Sequence, residues 1–135
     1  MENWGLYLNT TGDPCTEPSW VNTIKCDPSA YQITYFSLPN KSFQSNSWDI
    51  LQNLTALTYL DLSGNQLIGT IPSGWMGLSL LRYLDLHNNT VDGAVPAELS
   101  YLSSLTYLDL SRTGISFLPS ELQTISSLNH LDLSY

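Results

Sequence analysis

The sequence predicts an α/β repeat solenoid, a right-handed superhelix with a parallel concave sheet of about five short strands and an irregular or 3-10 outer side. Three stretches that align over their whole length predict it: LTYLDLSGNQLIGTIPSGWMGLSL, LRYLDLHNNTVDGAVPAELSYLSS and LTYLDLSRTGISFLPSELQTISS. The period is 24 residues and then 23. A fixed period of this size is typical of a repeat architecture, in which each copy stacks on the next.

Each copy begins with a short strand. The alternation in LDL puts two leucines on one face and the aspartate on the other, so stacked copies form a parallel sheet over a leucine core. YQITYFSLPNKSF reads as a degenerate first copy, with apolar residues at the leucine positions. The aligned columns are Phe36, Leu60, Leu84, Leu108 and Leu131, then Leu38, Leu62, Leu86, Leu110 and Leu133, then Pro72, Pro96 and Pro119.

Two asparagines, Asn65 and Asn89, follow successive strands at the turn. A side-chain amide there can bond to backbone groups of adjacent coils, so a buried asparagine ladder is expected. Lys41 and Thr113 occupy the same position in the flanking copies and are expected to break the ladder. Proline then fixes φ where the chain returns, and the segments after it form the outer wall as short turns or helical pieces.

The copies resemble the plant-type leucine-rich repeat, L-x-x-L-x-L-x-x-N-x-L-x-G-x-I-P, over roughly residues 31–135. The third copy departs from the motif, because SRTGISFLP lacks both the asparagine and the glycine. GDPCTEPSW followed by Cys26 is similar to the N-terminal cap of plant receptor-kinase ectodomains. The resemblance implies a Cys15–Cys26 disulfide in a cap over residues 1–30, then repeats over 31–135. A redox or zinc site is disfavoured by the ten residues between the cysteines.

The last residues, LNHLDLSY, end directly after the strand that contains Leu131 and Leu133, with no C-terminal cap. We expect about four copies plus this final strand. An uncapped edge with leucines invites pairing with another chain. The two interpretations are that the natural protein continues beyond Tyr135, which is favoured, or that two copies self-associate through this edge.

Composition restricts the class of partner. Twelve acidic and four basic residues give a formal charge of −8, which disfavours nucleic acid and an anionic membrane and favours a basic peptide or protein patch. No apolar stretch reaches the roughly 18 residues that a membrane span needs. Two cysteines and four glycosylation sequons predict an extracellular location, secreted or at the cell surface. The sequon asparagines are Asn9, Asn40, Asn53 and Asn88.

Strand residues that face away from the leucines are the predicted ligand-binding surface, because solenoids bind partners with such faces. The alternative is that YLDLS is a generic consensus, whose aspartate only bonds locally. The stacked carboxylates could also recruit calcium, but no metal site is predicted. The predicted residues are Tyr59, Asp61, Ser63, Arg82, Tyr83, Asp85, His87, Tyr107, Asp109, Ser111, Arg112, His130 and Asp132.

Catalysis is not expected. His87 and His130 lie nearly two repeats apart and belong to no nucleophile or metal motif, and an open face does not exclude water. No cofactor is predicted. The resemblance implies an extracellular module that recognises a protein or peptide, as a receptor-type ectodomain or a fragment of one. The alternatives are a secreted inhibitor of cell-wall-degrading enzymes, similar to polygalacturonase inhibitors, and a structural spacer.

Overall fold

The computed structural model describes residues 15–16 and 22–135. Three strands come first in this described part of the chain, and after them each 3-10 helix is separated from the next by two strands. Its ten strands are β1 Ile24–Cys26, β2 Ile33–Ser37, β3 Gln44–Ser45, β4 Tyr59–Asp61, β5 Gln66–Gly69, β6 Tyr83–Asp85, β7 Thr90–Ala94, β8 Tyr107–Asp109, β9 Gly114–Phe117 and β10 His130–Asp132. Its four 3-10 helices are Asp49–Asn53, Ser73–Gly77, Ala97–Tyr101 and Ser120–Thr124.

The concave sheet has the order β1-β2-β4-β6-β8-β10. The five repeat strands, from β2 to β10, pair in parallel, and Leu60 lies opposite Leu84, which lies opposite Leu108. Phe36 lies opposite Leu60, so the degenerate first copy has the register that the alignment predicted. The five-strand prediction is confirmed. A sixth strand, β1, pairs antiparallel with β2 at the edge and was not predicted.

A second sheet, not predicted from the sequence, contains β3, β5, β7 and β9. After each asparagine turn the chain extends again, with Leu67, Val91 and Ile115 buried at successive coils. Because the copies are stacked in register, these extended segments also lie side by side and pair in parallel. Stacking of the coils thus forms two sheets, to each of which a coil contributes one strand.

The core is a continuous column of apolar side chains inside the coils. Each 3-10 helix contributes one buried residue to it: Leu51, Trp75, Leu99 and Leu122. Prolines with φ between −66° and −71° precede the last three helices, as the proline column predicted. Trp48 and Trp75 pack edge to face with centroids 5.2 Å apart, and both are buried in the core.

The asparagine ladder is present. Nδ2 of Asn89 donates to the carbonyls of Leu62 and Leu86, and its Oδ1 accepts the N–H of Leu67. Asn65 makes the equivalent bonds one coil earlier. Thr113 does not wholly interrupt the pattern, because its hydroxyl donates to the Leu110 carbonyl at 2.6 Å and so keeps the bond within its own turn.

Cys15 and Cys26 form the disulfide that the resemblance implied, with Cα atoms 5.5 Å apart. Cys26 is the last residue of β1, so the disulfide joins the upstream segment to the edge of the concave sheet. The rest of residues 1–21, including the Asn9 sequon, lies outside the described residues. Among the described residues, no helix is long and apolar enough to cross a membrane.

Candidate recognition surface

Five rings stack across the concave sheet, and we call them the aromatic ladder: Tyr35, Tyr59, Tyr83, Tyr107 and His130. Neighbouring centroids lie 4.2 to 4.5 Å apart, with interplanar angles of 4° to 17°. In-register pairing causes the stacking, because equivalent residues of adjacent strands are one strand spacing apart, about 4.8 Å. The ladder is therefore a rigid strip in which ring edges, not ring faces, point to the solvent.

Tyr35 belongs to the ladder but was not among the predicted surface residues. The signal was available, since the alignment of Ile33 and Phe36 with Leu57 and Leu60 places Tyr35 opposite Tyr59. Nζ of Lys25 lies 4.6 Å from the centroid of the Tyr35 ring. This cation–π contact ends the ladder on the N-terminal side, and it depends on β1, which sequence reasoning missed.

Two tyrosines of the ladder, Tyr83 and Tyr107, donate hydrogen bonds to aspartates. The Tyr83 hydroxyl donates to Oδ2 of Asp85 at 3.2 Å, and the Tyr107 hydroxyl donates to Oδ2 of Asp109 at 3.4 Å. Burial among neighbouring rings raises the pKa of Tyr83, and the charge of Asp85 raises it further. Burial is also the main cause of the raised pKa of Tyr59 and Tyr107.

The aspartates bond to their own turns. In the four repeat strands that have an aspartate, Oδ1 accepts the backbone N–H two residues later, at 3.0, 3.0, 2.8 and 2.8 Å for Asp61, Asp85, Asp109 and Asp132. This bond, from the Ser134 N–H, is the main reason that the pKa of Asp132 is lowered. The geometry is that of the alternative in which the consensus aspartate bonds locally.

Several predicted surface residues are not displayed. The expectation that the acids lie outside is wrong for Asp85 and Asp109, which are 5% and 8% exposed, because each carboxylate folds back toward its backbone. Ser63 and Ser111 are also buried. The other predicted residues are accessible in part or in full: Tyr59, Asp61, Tyr83, His87, Tyr107 and Asp132 are intermediate, and Arg82, Arg112 and His130 are exposed.

His87 lies close to the aspartates of two adjacent strands. Its Nδ1 lies 2.8 Å from Oδ1 of Asp85 and 3.9 Å from Oδ2 of Asp109, while its side chain is 39% exposed. No lysine or arginine nitrogen of the described chain lies within 4.0 Å of either carboxylate. The imidazole of His87 therefore lies between the two aspartates of adjacent strands.

Three of the sequon asparagines are described, and all three are exposed: Asn40, Asn53 and Asn88. Asn40 and Asn88 occupy equivalent turn positions two coils apart, with φ of 54° and 52°. Both lie past the end of a concave strand, beside the column that contains His87. Glycosylation at these positions remains a prediction.

A leucine-rich-repeat family model matches residues 32–91, and a second leucine-rich-repeat model matches residues 104–125. Together the two matches cover more than half of the described chain. The chain belongs to the leucine-rich-repeat family. This assignment agrees with the solenoid, the in-register leucine columns and the asparagine ladder.

Solved structures of plant receptors resemble this leucine-rich-repeat chain. A chain of the BIR3–SERK2 complex from Arabidopsis thaliana is 28% identical, with a TM-score of 0.81 over 92% of this chain. The BIR2 ectodomain from Arabidopsis thaliana is 29% identical, with a TM-score of 0.75 over 84%. The plant peptide hormone receptor RGFR1, solved with RGF2, is 29% identical, with a TM-score of 0.72 over 74%. The leucine-rich-repeat chain spans 65%, 64% and 16% of these three chains.

Proposed function

We propose that this chain is an extracellular module that recognises a protein or peptide, as the ectodomain of a receptor-type leucine-rich-repeat protein or as part of one. Residues 1–30 are its cap and residues 31–135 its repeats. The observation that carries the proposal is the aromatic ladder, which presents ordered tyrosine edges on a rigid sheet. Ordered aromatic side chains supply much of the binding energy at protein interfaces, because little side-chain entropy remains to be lost.

The similar structures support this class of partner by analogy. One is a peptide hormone receptor solved with RGF2, and another belongs to a complex between BIR3 and SERK2. Leucine-rich-repeat ectodomains of this kind are typically binding modules and not enzymes. The formal charge of −8 favours a basic peptide or a basic patch on a protein, because long-range attraction raises its rate of encounter.

Accessible and buried residues of the predicted surface have different proposed roles. We assign direct contact to the accessible ring edges of Tyr59, Tyr83 and Tyr107, with Arg82 and Arg112 exposed on either side of the ladder. The buried aspartates behind them hold the hydroxyls of Tyr83 and Tyr107 in place. A partner with a carbonyl or carboxylate oxygen can accept from the remaining phenol and guanidinium donors.

An array of synthetic basic peptides and surface plasmon resonance test the proposal. We expect wild type to bind a subset of the peptides and the Tyr83→Ala variant to bind that subset at least tenfold more weakly. Tyr101→Ser is the matched control, because Tyr101 is 66% exposed at the end of an outer 3-10 helix, away from the ladder. Circular dichroism verifies that each variant is folded.

Equal binding by wild type and Tyr83→Ala would contradict contact through the ladder. The enzyme-inhibitor alternative predicts a different result, namely that the wild-type chain slows a purified secreted polygalacturonase. The spacer alternative predicts that the array yields no peptide whose binding is sensitive to the ladder.

A further inference from the structure

Asp85, His87 and Asp109 form a compact group that we call the Asp–His–Asp cluster. Each residue offers one ligand atom, and the three atoms lie within 4.8 Å of one another. Asp85 and Asp109 are paired in register on adjacent strands, and His87 follows β6 at the turn. The cluster lies beside the aromatic ladder, and its two aspartates also accept the hydroxyls of Tyr83 and Tyr107.

Within the described part of the chain, no lysine or arginine forms an ion pair with the carboxylates of this cluster. The side chains of Asp85 and Asp109 are 7% and 11% exposed, and they lie opposite each other across one strand spacing. Like charges held this closely away from water repel, and a buried carboxylate is costly unless a positive charge compensates it. His87 is the only basic group that approaches them among the described residues, since all four lysines and arginines are farther than 4.0 Å. A dication would neutralise both carboxylates.

We propose that the Asp–His–Asp cluster binds a divalent transition-metal ion of the zinc class. One imidazole nitrogen and two carboxylate oxygens suit zinc, copper or nickel, whereas calcium and magnesium prefer oxygen ligands alone. Ligands about 2.0 Å from a tetrahedral ion lie roughly 3.3 Å apart. The separations from Nδ1 of His87, 2.8 Å and 3.9 Å, bracket that distance, so shifts of about half an ångström suffice.

Hydrogen bonds orient the ligands of this site in advance. Oδ1 of Asp109 accepts the Ser111 N–H at 2.8 Å, which leaves Oδ2 toward His87. Oδ1 of Asp85 accepts the His87 N–H at 3.0 Å, which fixes the spacing between these two ligands. Such outer bonds hold the ligands of metal sites in a binding geometry. The ion requires Nδ1 without its proton, so the imidazole hydrogen resides on Nε2.

A second group, Asp109, His130 and Asp132, also has three ligand atoms close together. It is more open, because His130 is exposed and Asp132 only half-buried, so water can solvate its charges. The His130 ring is also stacked on Tyr107, 4.2 Å away. We therefore assign the ion to the cluster around His87, and His130 serves as the matched imidazole control.

Isothermal titration calorimetry of tag-free full chain with Zn²⁺ tests the proposal. We expect one ion per chain, with at least tenfold weaker binding in His87→Gln and in Asp109→Asn. His130→Gln and Asp92→Asn, which remove another imidazole and an exposed acid, should bind as wild type does. Cobalt should show visible absorption typical of nitrogen and oxygen ligands in wild type, and this absorption should be lost in His87→Gln.

Three results would overturn the proposal. They are an absence of saturable Zn²⁺ binding to wild type, undiminished binding by His87→Gln, and equally tight binding of Ca²⁺, which would indicate a diffuse acidic surface. Far-UV circular dichroism separates loss of the site from loss of fold. Because the His87 side chain is 39% exposed, His87→Gln should disturb the fold less than Asp109→Asn.

Discussion

Replacing Asn89 by leucine should be among the most destabilising single substitutions at a polar residue of this chain. Asn89 is 9% exposed, and leucine has a similar shape, so the change removes hydrogen bonds and adds no cavity. Two backbone groups would lose their bond to it without replacement: the Leu67 N–H, held at 3.0 Å, and the Leu86 carbonyl, held at 2.9 Å. The Leu62 carbonyl keeps its bond from Asn65.

An unsatisfied buried backbone group costs about 1–3 kcal/mol, so Asn89→Leu should lower the free energy of unfolding by about 2–4 kcal/mol. Asn89→Thr should lose only about 1–2 kcal/mol, since a threonine hydroxyl can still satisfy the Leu86 carbonyl. Thr113 shows this arrangement, with its hydroxyl 2.6 Å from the Leu110 carbonyl. The Asn88 sequon is intact in both variants, because only its middle residue changes.

Equilibrium unfolding in urea, followed by tryptophan fluorescence, measures these differences. Two of the four tryptophans, Trp48 and Trp75, are buried in the core, so part of the emission reports the packing of the coils. The exposed Asn46→Leu variant is the control and should stay within about 0.5 kcal/mol of wild type. If the free energy of unfolding of Asn89→Leu were equally close to that of wild type, or if Asn89→Thr lost as much as Asn89→Leu, the role assigned to the Asn89 hydrogen bonds would be refuted.

Three other changes have definite expected outcomes. Gly64→Ala should cost about 1–2 kcal/mol by thermal unfolding, because Gly64 has φ of 64° and a Cβ would collide with Oδ1 of Asn40. Burial raises the pKa of Tyr83 in the folded state, so the stability due to its neutral phenol is complete below about pH 10 and is lost as the pH rises further, when the unfolded chain ionises first. The ultraviolet difference absorbance of wild type minus Tyr83→Phe should then show that Tyr83 ionises together with unfolding; ionisation of Tyr83 in the folded state near pH 10 would contradict its burial. Replacing Cys15 and Cys26 by serine should lower stability by about 2–3 kcal/mol in the chain-entropy model, and an unchanged melting temperature would show that the cap is held otherwise.

The repeat strands could be predicted because spacing alone determines them. Leucines at alternate residues of each strand, with a copy every 24 or 23 residues, favour one arrangement in which the strand leucines share a core, so the register of β4, β6 and β8 followed from the alignment. Strand β1 could not be found in this way. It is not part of a repeat, and its pairing with β2 is a contact between the cap segment and the first coil.

The burial of each polar side chain could not be predicted from the sequence. Alternation decides which face of a strand a side chain occupies, but it does not say whether neighbouring side chains then cover it. Asp85 and Asp109 lie on the predicted face, yet the tyrosine rings and their own turns enclose them. A side chain on the open face is therefore buried where the adjacent coils place the same bulky side chain, here tyrosine, beside it.

One coil differs chemically from its neighbours, because it has a histidine where the preceding coil has a serine. In the coil of Asp61, the hydroxyl of Ser63 donates to the carboxylate at 2.6 Å, which satisfies it with a neutral group. At the equivalent position the next coil has His87, so a nitrogen that can bind a metal replaces that hydroxyl between two buried acids. The aspartate column is generic to the repeat, whereas this one substitution is specific to the chain. Chemistry particular to this protein is therefore expected where a copy departs from the consensus beside a buried charge, and not where the copies agree.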